Sequence, residues 1–386
     1  MKIEAAKKIF GEILREQLEK IEKIKSFKDS IDYKNLDKII IGVIDGDGIG
    51  PIIMEQTKRI INELLKSEID TGGIEIKNIK GLTIENRVSK MESVPSDILD
   101  EIKKCHVILK GPCTTPRAGD PWPNLTSANA VMRRELDLFS NVRPVSIPGK
   151  GVDWIFFREN IEGGYALGSK GIQVDENLAI DFVLETKINS ERLAKKAFEY
   201  ARNNNKNNVT VVTKANIIKT TDGNFIKACK KVGEDYKEIN IVEKLADVTA
   251  ARLTDLKFSR DLQVFVLPNL YGDIISDIAA EFQGGRGTAG SANLGNRYAV
   301  FEAIHGSAPA MIKSNRGQYA DPSSLMRGFG MLLNHIGYSD KSKVLTRALD
   351  ICGVEERKIK MTSSSKGASA EEYTDYILDE IKKLKS

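Results

Sequence analysis

Apolar positions along this chain follow two different periods. Near the N-terminus Ile9, Phe10, Ile13, Leu14, Leu18, Ile21, Ile24 and Phe27 recur at helical spacing, with lysines and glutamates between them. That predicts an amphipathic helix packed on its own protein or on another subunit, with a membrane-surface or regulatory helix as the sharper alternative. Further on, short, largely apolar runs at 38–44, 107–110, 154–157, 209–214, 264–267 and 300–304 predict buried strands. Helical pattern resumes from Ile52, from a polar start at 127–129 through 138, from 191 to 202, from Asp222, from Asp247, from Asn269 through Phe282, from 323 to 335 and from 370 to 384. Residues 163–187 carry alternating patches and predict two strands that pair outside the main fold. The stretch 284–295, rich in glycine, predicts a mobile loop. Strands alternating with helices predict an α/β architecture.

Composition narrows the class. The chain has 386 residues, enough for two domains with their own cores. With 58 basic and 54 acidic residues the net charge is only +4, which implies no general attraction to polyanions, and no motif points to nucleic acid. Cys105, Cys113, Cys229 and Cys352 lack metal-like or disulfide-like spacing, which suits a reducing, cytoplasmic setting. No apolar run reaches membrane-spanning length, so no membrane association is expected.

Candidate chemistry gathers at element ends. Pro268 closes a buried strand, and Asp273 and Asp277 then lie four apart on one face of the following helix. They read either as first-turn acids favoured by the helix dipole or as ligands for a divalent cation. The turn Asp45-Gly46-Asp47-Gly48-Ile49-Gly50-Pro51 follows a strand and precedes a helix. Its glycines do not match G-x-G-x-x-G, and Pro51 removes a helix N–H that would hold phosphate. Arg133, Arg143 and Arg158 stand at element ends near Ser127, Asn129 and Tyr165. Singly each reads as a surface ion pair, and together they read as a cage for a small polyanion. Lys214 ends a buried strand just before Asn216, as a snorkelling side chain or a group for proton chemistry.

Taken together, the motifs resemble the isocitrate/3-isopropylmalate dehydrogenase family of decarboxylating dehydrogenases. The residues that carry the resemblance are the 45–51 turn, Gly111-Pro112 with Thr114-Thr115-Pro116, Arg133 with Glu135-Leu136-Asp137, and Arg143-Pro144. They continue with Arg158-Glu159-Asn160 and Tyr165, Lys214-Ala215-Asn216-Ile217, Asn269 with Gly272-Asp273 and Ser276-Asp277, and His305-Gly306-Ser307-Ala308-Pro309. They run in the family's order from about residue 39 to the C-terminus.

The resemblance implies two α/β domains with a cleft between them and no Rossmann fold. It implies a large domain of 39–138 and 284–386, a small domain of 139–283, and a helical extension of 1–38. A dimer clasp around 163–187 is implied, in a homodimer or higher homo-oligomer with shared active sites. A small tricarboxylate substrate would be bound by Ser127, Asn129, Arg133, Arg143 and Arg158. Mg²⁺ or Mn²⁺ would be held by Asp273, Asp277 and the Asp247 of a second subunit, with Tyr165 and the Lys214 of that second subunit catalytic. Thr115, Asn216, His305, Gly306, Ser307, Ala308, Pro309 and Asp321 would bind the nucleotide.

The polar pair Ser127 and Asn129 favours isocitrate over an alkyl-bearing substrate. Ala310 and Met311 after Pro309 favour NAD over NADP, although Lys313, Arg316 and Lys366 could serve a phosphate. The 117–126 loop is longer than the family pattern. Homoisocitrate, 3-isopropylmalate or tartrate oxidation, and a non-catalytic regulatory subunit, are the alternatives.

Overall fold

The computed structural model describes residues 3–26, 30–117, 119–168, 170–285 and 288–385; Phe27 of the N-terminal stripe and Arg286 and Gly287 of the glycine-rich stretch lie outside them. In chain order the strands begin with β1 (Ile39–Ile44), β2 (Ile74–Asn78) and β3 (Val107–Lys110). Next come β4 (Ser140–Ile147), β5 (Val152–Glu159), β6 (Ile172–Asp175), β7 (Leu178–Ile180), β8 (Asn208–Thr213), β9 (Asn240–Leu245) and β10 (Val264–Leu267). β11 (Gly290–Leu294) and β12 (Ala299–Ala303) follow. The chain divides into two compact units, one of Met1–Ser30 with Asp137–Phe282 and one of Ile31–Leu136 with Gln283–Ser386.

In the second of these units the strand order is β2-β1-β3-β12-β11. β1 pairs parallel with β2 and β3, β12 pairs parallel with β3, and β11 closes the run antiparallel. Strands buried on both faces read as unbroken apolar runs, which is why β1 and β3 are legible in the sequence. The 284–295 loop expectation needs correction, because Gly290–Leu294 is a largely buried strand. A Cβ on Gly290 would lie 2.4 Å from the Gly328 amide nitrogen, so the small residues there serve close packing on the helix Ser323–His335.

The other unit orders its strands β4-β5-β10-β8-β9, with β4 antiparallel to β5 and the rest parallel. Its core is aromatic. Phe156 stacks on Phe265 at 4.4 Å, and Trp154 stacks on Phe282 at 6.2 Å, behind the helix Asn269–Gln283. β6 and β7 form the separate antiparallel pair expected within 163–187. The N-terminal helix Ile3–Ser26 belongs to the same unit and meets that hairpin region through Phe10 on Phe182 and a Lys170–Glu16 ion pair of 2.8 Å. Among the described residues no helix is long and apolar enough to cross a membrane.

Candidate active site

The helix Asn269–Gln283 starts immediately after β10 and Pro268. Its first turn lies across Arg158, near the end of β5. A Cβ on Gly272 would meet Arg158 Cγ at 2.5 Å, so only glycine lets that side chain pass. Arg158 is 2% exposed and donates from Nε and Nη2 to Asn269 Oδ1 at 3.0 and 2.7 Å, and from Nη1 to Asp273 Oδ1. From β4, Arg143 donates to Ser276 Oγ and Asp277 Oδ1, both at 2.9 Å, and to Asp273 Oδ1 at 3.3 Å. Tyr165 donates its hydroxyl to Asp273 Oδ2 at 3.1 Å, with the Arg158 guanidinium 5.5 Å from its ring centre. Two arginines, a tyrosine and two aspartates, scattered over 143–277, thus converge on one helical turn.

The sequence pattern places Arg143 just past a helix, and it sits inside β4 instead; Arg158, next to last in β5, is at a strand end as expected. Strand pairing fixes their backbone, and burial holds the guanidiniums while the carboxylates of Asp273 and Asp277 stay about one-third exposed (33% and 30%). Their mutual repulsion is offset by these arginines.

Lys214 and Asp247 form a second cluster in the same unit, joined by an ion pair of 2.7 Å. The bond from Lys214 holds the Asp247 carboxyl below its ordinary range. The Lys214 backbone N–H donates to Asp222 at 2.6 Å, which anchors the turn after β8. Asn216 is exposed just beyond it. Among the described residues no three His, Cys, Asp or Glu side chains of one chain gather as a metal site.

The other unit carries the remaining candidates. Ser127 precedes the helix Ala128–Glu135, which bears Asn129 and Arg133. This helix starts at the polar 127–129 stretch as expected and ends earlier than expected, because Asp137 takes a left-handed conformation (φ 50°). Arg133 reaches Glu302 on β12 at 3.6 Å, and Glu302 also pairs with Lys110 on β3 at 2.9 Å and accepts from Asn293 at 2.7 Å. Burial opposes ionisation of Glu302, yet the cations Lys110 and Arg133 outweigh it and hold its carboxyl at about 2.

The 45–51 turn packs on the 111–116 segment and on Ser307. Gly48 has φ of 59°, and a Cβ there would lie 2.0 Å from Ser307 O. Ser307 O accepts from Ile49 N at 3.0 Å, and Ser307 Oγ lies 2.8 Å from Thr114 Oγ1. Ala308 is left-handed (φ 45°) and leads into Pro309 and a short helix. His305 Nδ1 lies 3.1 Å from Gly306 O, Thr115 is exposed, and Asp321 Oδ1 accepts from Ser323 N at 2.8 Å. Glycine-permitted turns are thus tied to the start of a helix, without the dinucleotide-binding strand order.

A family model for isocitrate/isopropylmalate dehydrogenases matches residues 40–377. The chain belongs to the isocitrate/isopropylmalate dehydrogenase family. Its relatives in that family include the mitochondrial isocitrate dehydrogenase [NAD] subunit 2 of Schizosaccharomyces pombe, 33% identical over 89% of this chain and 87% of the relative. A regulatory subunit of the mitochondrial isocitrate dehydrogenase [NAD] of Dictyostelium discoideum is 34% identical, over 88% of this chain and 91% of the relative. The isocitrate dehydrogenase of Methylococcus capsulatus superposes with a TM-score of 0.78 at 31% identity, over 89% of this chain and 99% of that one. The N-terminal helix lies outside the family match.

Sequence reasoning passed over several charged residues that the fold places at these sites. Lys110 and Glu302 each stand inside an apolar run, and a charge in a buried strand was the available signal. Arg87 gave no comparable signal.

Proposed function

We propose that the protein catalyses the metal-dependent oxidative decarboxylation of isocitrate to 2-oxoglutarate, with hydride transfer to NAD. The observation that carries this reading is Asp273, a carboxylate bridged by Arg143, Arg158 and Tyr165 at the start of one helix. Arg143 and Arg158, with Arg133, Ser127 and Asn129, would bind the substrate's carboxylates through charge-assisted bonds. Lys214 of a second subunit, which comes with the Asp247 it pairs to, would take the hydroxyl proton as hydride leaves the hydroxyl-bearing carbon for the nicotinamide. Carbon dioxide then departs with its bonding electrons left on the product, and Tyr165 would return a proton to the enolate carbon. His305, Gly306, Ser307, Ala308, Pro309, Thr115, Asn216 and Asp321 would hold the nucleotide.

Asp273 and Asp277 fit a hard cation, because their oxygens share one helical face and are about one-third exposed. With Asp247 of a second subunit they would hold Mg²⁺ or Mn²⁺, which when bound supplies Lewis-acid polarisation of the substrate oxygen.

We further propose a large domain of 39–138 and 284–386, a small domain of 139–283, and the 163–187 clasp as a subunit contact in a homodimer. The Schizosaccharomyces and Dictyostelium relatives are named as subunits and as mitochondrial, so a heteromer is the competing assembly, and the compartment we propose is a reducing one. A regulatory role is the second reading, favoured by the name of the Dictyostelium relative. The presence of Lys214, Tyr165, Asp247, Asp273 and Asp277 supports catalysis.

The test is turnover with isocitrate, homoisocitrate, 3-isopropylmalate and tartrate, each with NAD and NADP at saturating Mn²⁺. Lys214→Met should lower isocitrate turnover by about 10³-fold with cation affinity little changed. Wild-type rates in that variant, or an inactive wild-type chain, would overturn the catalytic reading.

A further inference from the structure

Arg87 has no part in the chemistry above, yet it is one of the largest fully buried side chains of its unit. It sits on the helix Ile84–Lys90, and its side chain and that of Asp47 are 0% and 4% exposed. The guanidinium donates from Nε to Ser93 O at 2.7 Å, from Nη1 to Thr114 O at 2.7 Å and from Nη2 to Thr126 O at 3.4 Å. Nη1 lies 4.0 Å from Asp47 Oδ2. The Asp47 carboxylate accepts from Thr114 N and Ile84 N, both at 2.7 Å. Burial pushes the Asp47 carboxyl up, against the two amides and Arg87, which favour its ionised form.

The Thr114 peptide is therefore held at both ends, its N–H by Asp47 and its C=O by Arg87, while its hydroxyl meets Ser307. The Thr126 carbonyl is the last before Ser127, whose own carbonyl accepts Val131 N at 3.1 Å and opens the helix bearing Asn129 and Arg133. One planar group thus touches both the residue before Thr115 and the residue before Ser127. A buried ion pair is a costly way to hold a loop unless its hydrogen bonds are saturated. Here the fork geometry of arginine is needed, because an ammonium cannot reach three carbonyls from three segments in one plane.

We propose that Arg87, with Asp47, is a positioning residue that ties the two ends of the 114–126 segment to one point and so sets the nucleotide-side residues Thr115 and Ser307 together with the substrate-side residues Ser127 and Asn129. The identity of the two ligands rests on the dehydrogenase reading; the tie itself does not.

Two measurements test it. In the wild-type protein, amide hydrogen exchange should show Thr114 and Val131 exchanging as slowly as core amides of β1 and β3, with residues 119–124 between them fast. Thr114 exchanging with the loop middle would overturn the tie whatever the enzyme's substrate. In Arg87→Lys, isocitrate and NAD KM should both rise about tenfold while kcat changes less than about threefold, and residues 114–127 should lose exchange protection. A folded Arg87→Lys protein with both KM values and the exchange pattern unchanged would overturn it, as would a rise in only one KM. If wild-type protein turns over no isocitrate, the dehydrogenase reading fails, and the exchange data still decide the tie.

Discussion

Two carboxylate systems in this protein face opposite electrostatic problems. In one unit Glu159 and Glu162 are buried beside each other, with Glu185 near them; burial pushes all three carboxyls up, and their neighbours' negative charge pushes Glu159 and Glu185 further. Glu185 reaches about 9. In the other unit Glu302 is as deeply buried, yet it is held at about 2, because Lys110 and Arg133 flank it. Burial alone does not decide whether an acid is charged; the sign of its neighbours does. Asp273 and Asp277 are a third case, paired with arginines but about one-third open to solvent, where a cation can replace part of the pairing. Glu302 is sealed against its cations, whereas Asp273 and Asp277 keep about a third of their side chains in solvent.

Replacing Glu302 should have the largest effect. Glu302→Gln leaves Lys110 buried without its counter-charge, and unfolding by denaturant should show a loss of about 3–5 kcal/mol. The pH dependence carries a second signature. Because its carboxyl is depressed from 4.5 to about 2, the stability Glu302 contributes is complete above pH 4.5 and is lost as pH falls toward about 2. That acid limb should flatten in the variant; an unchanged limb would mean Glu302 is not ionised in the folded protein.

Asp277→Asn tests the half-open system and should act differently. Unfolding free energy should move by less than about 1 kcal/mol, as for exposed pairs. Mn²⁺ affinity, followed by calorimetry, should fall about tenfold, with the loss of one hard anionic ligand. A large stability loss with unaltered cation binding would place Asp277 with the framework instead.

Near pH 4.5 the smallest effect belongs to Glu185→Gln. A carboxyl raised from 4.5 to about 9 contributes stability that is complete below pH 4.5 and is lost as pH rises toward about 9. The glutamine variant should differ from wild type by about 1 kcal/mol or less at pH 4.5 and decline less steeply between pH 4.5 and 9. Parallel stability curves would show that Glu185 is not the titrating group.

Much of the fold is legible without coordinates. Strands such as β1, β3 and β10 are readable because both faces of a mostly parallel sheet are covered, so the run is apolar, whereas the buried β4, broken by Asn141, Arg143 and Pro144, is not. The pairing of β6 with β7 is readable from alternation. The 290–294 strand is not, because its small residues are there for the close approach of the helix Ser323–His335, and glycine and alanine otherwise signal a loop.

Among charged residues, local spacing determined that Asp273 and Asp277 share a helical face, since a helix brings i and i+4 together wherever it forms. The sequence alone also set the family-like order of motifs. It did not determine what those aspartates touch. Arg143 and Arg158 are more than a hundred residues away along the chain, and only the pairing of β4, β5 and β10 brings them to that helical turn. The same holds for Arg87, whose three carbonyl partners come from segments without any sequence period in common. Periodicity reports which face is apolar, and long-range charge pairing depends on distances that only the folded chain sets.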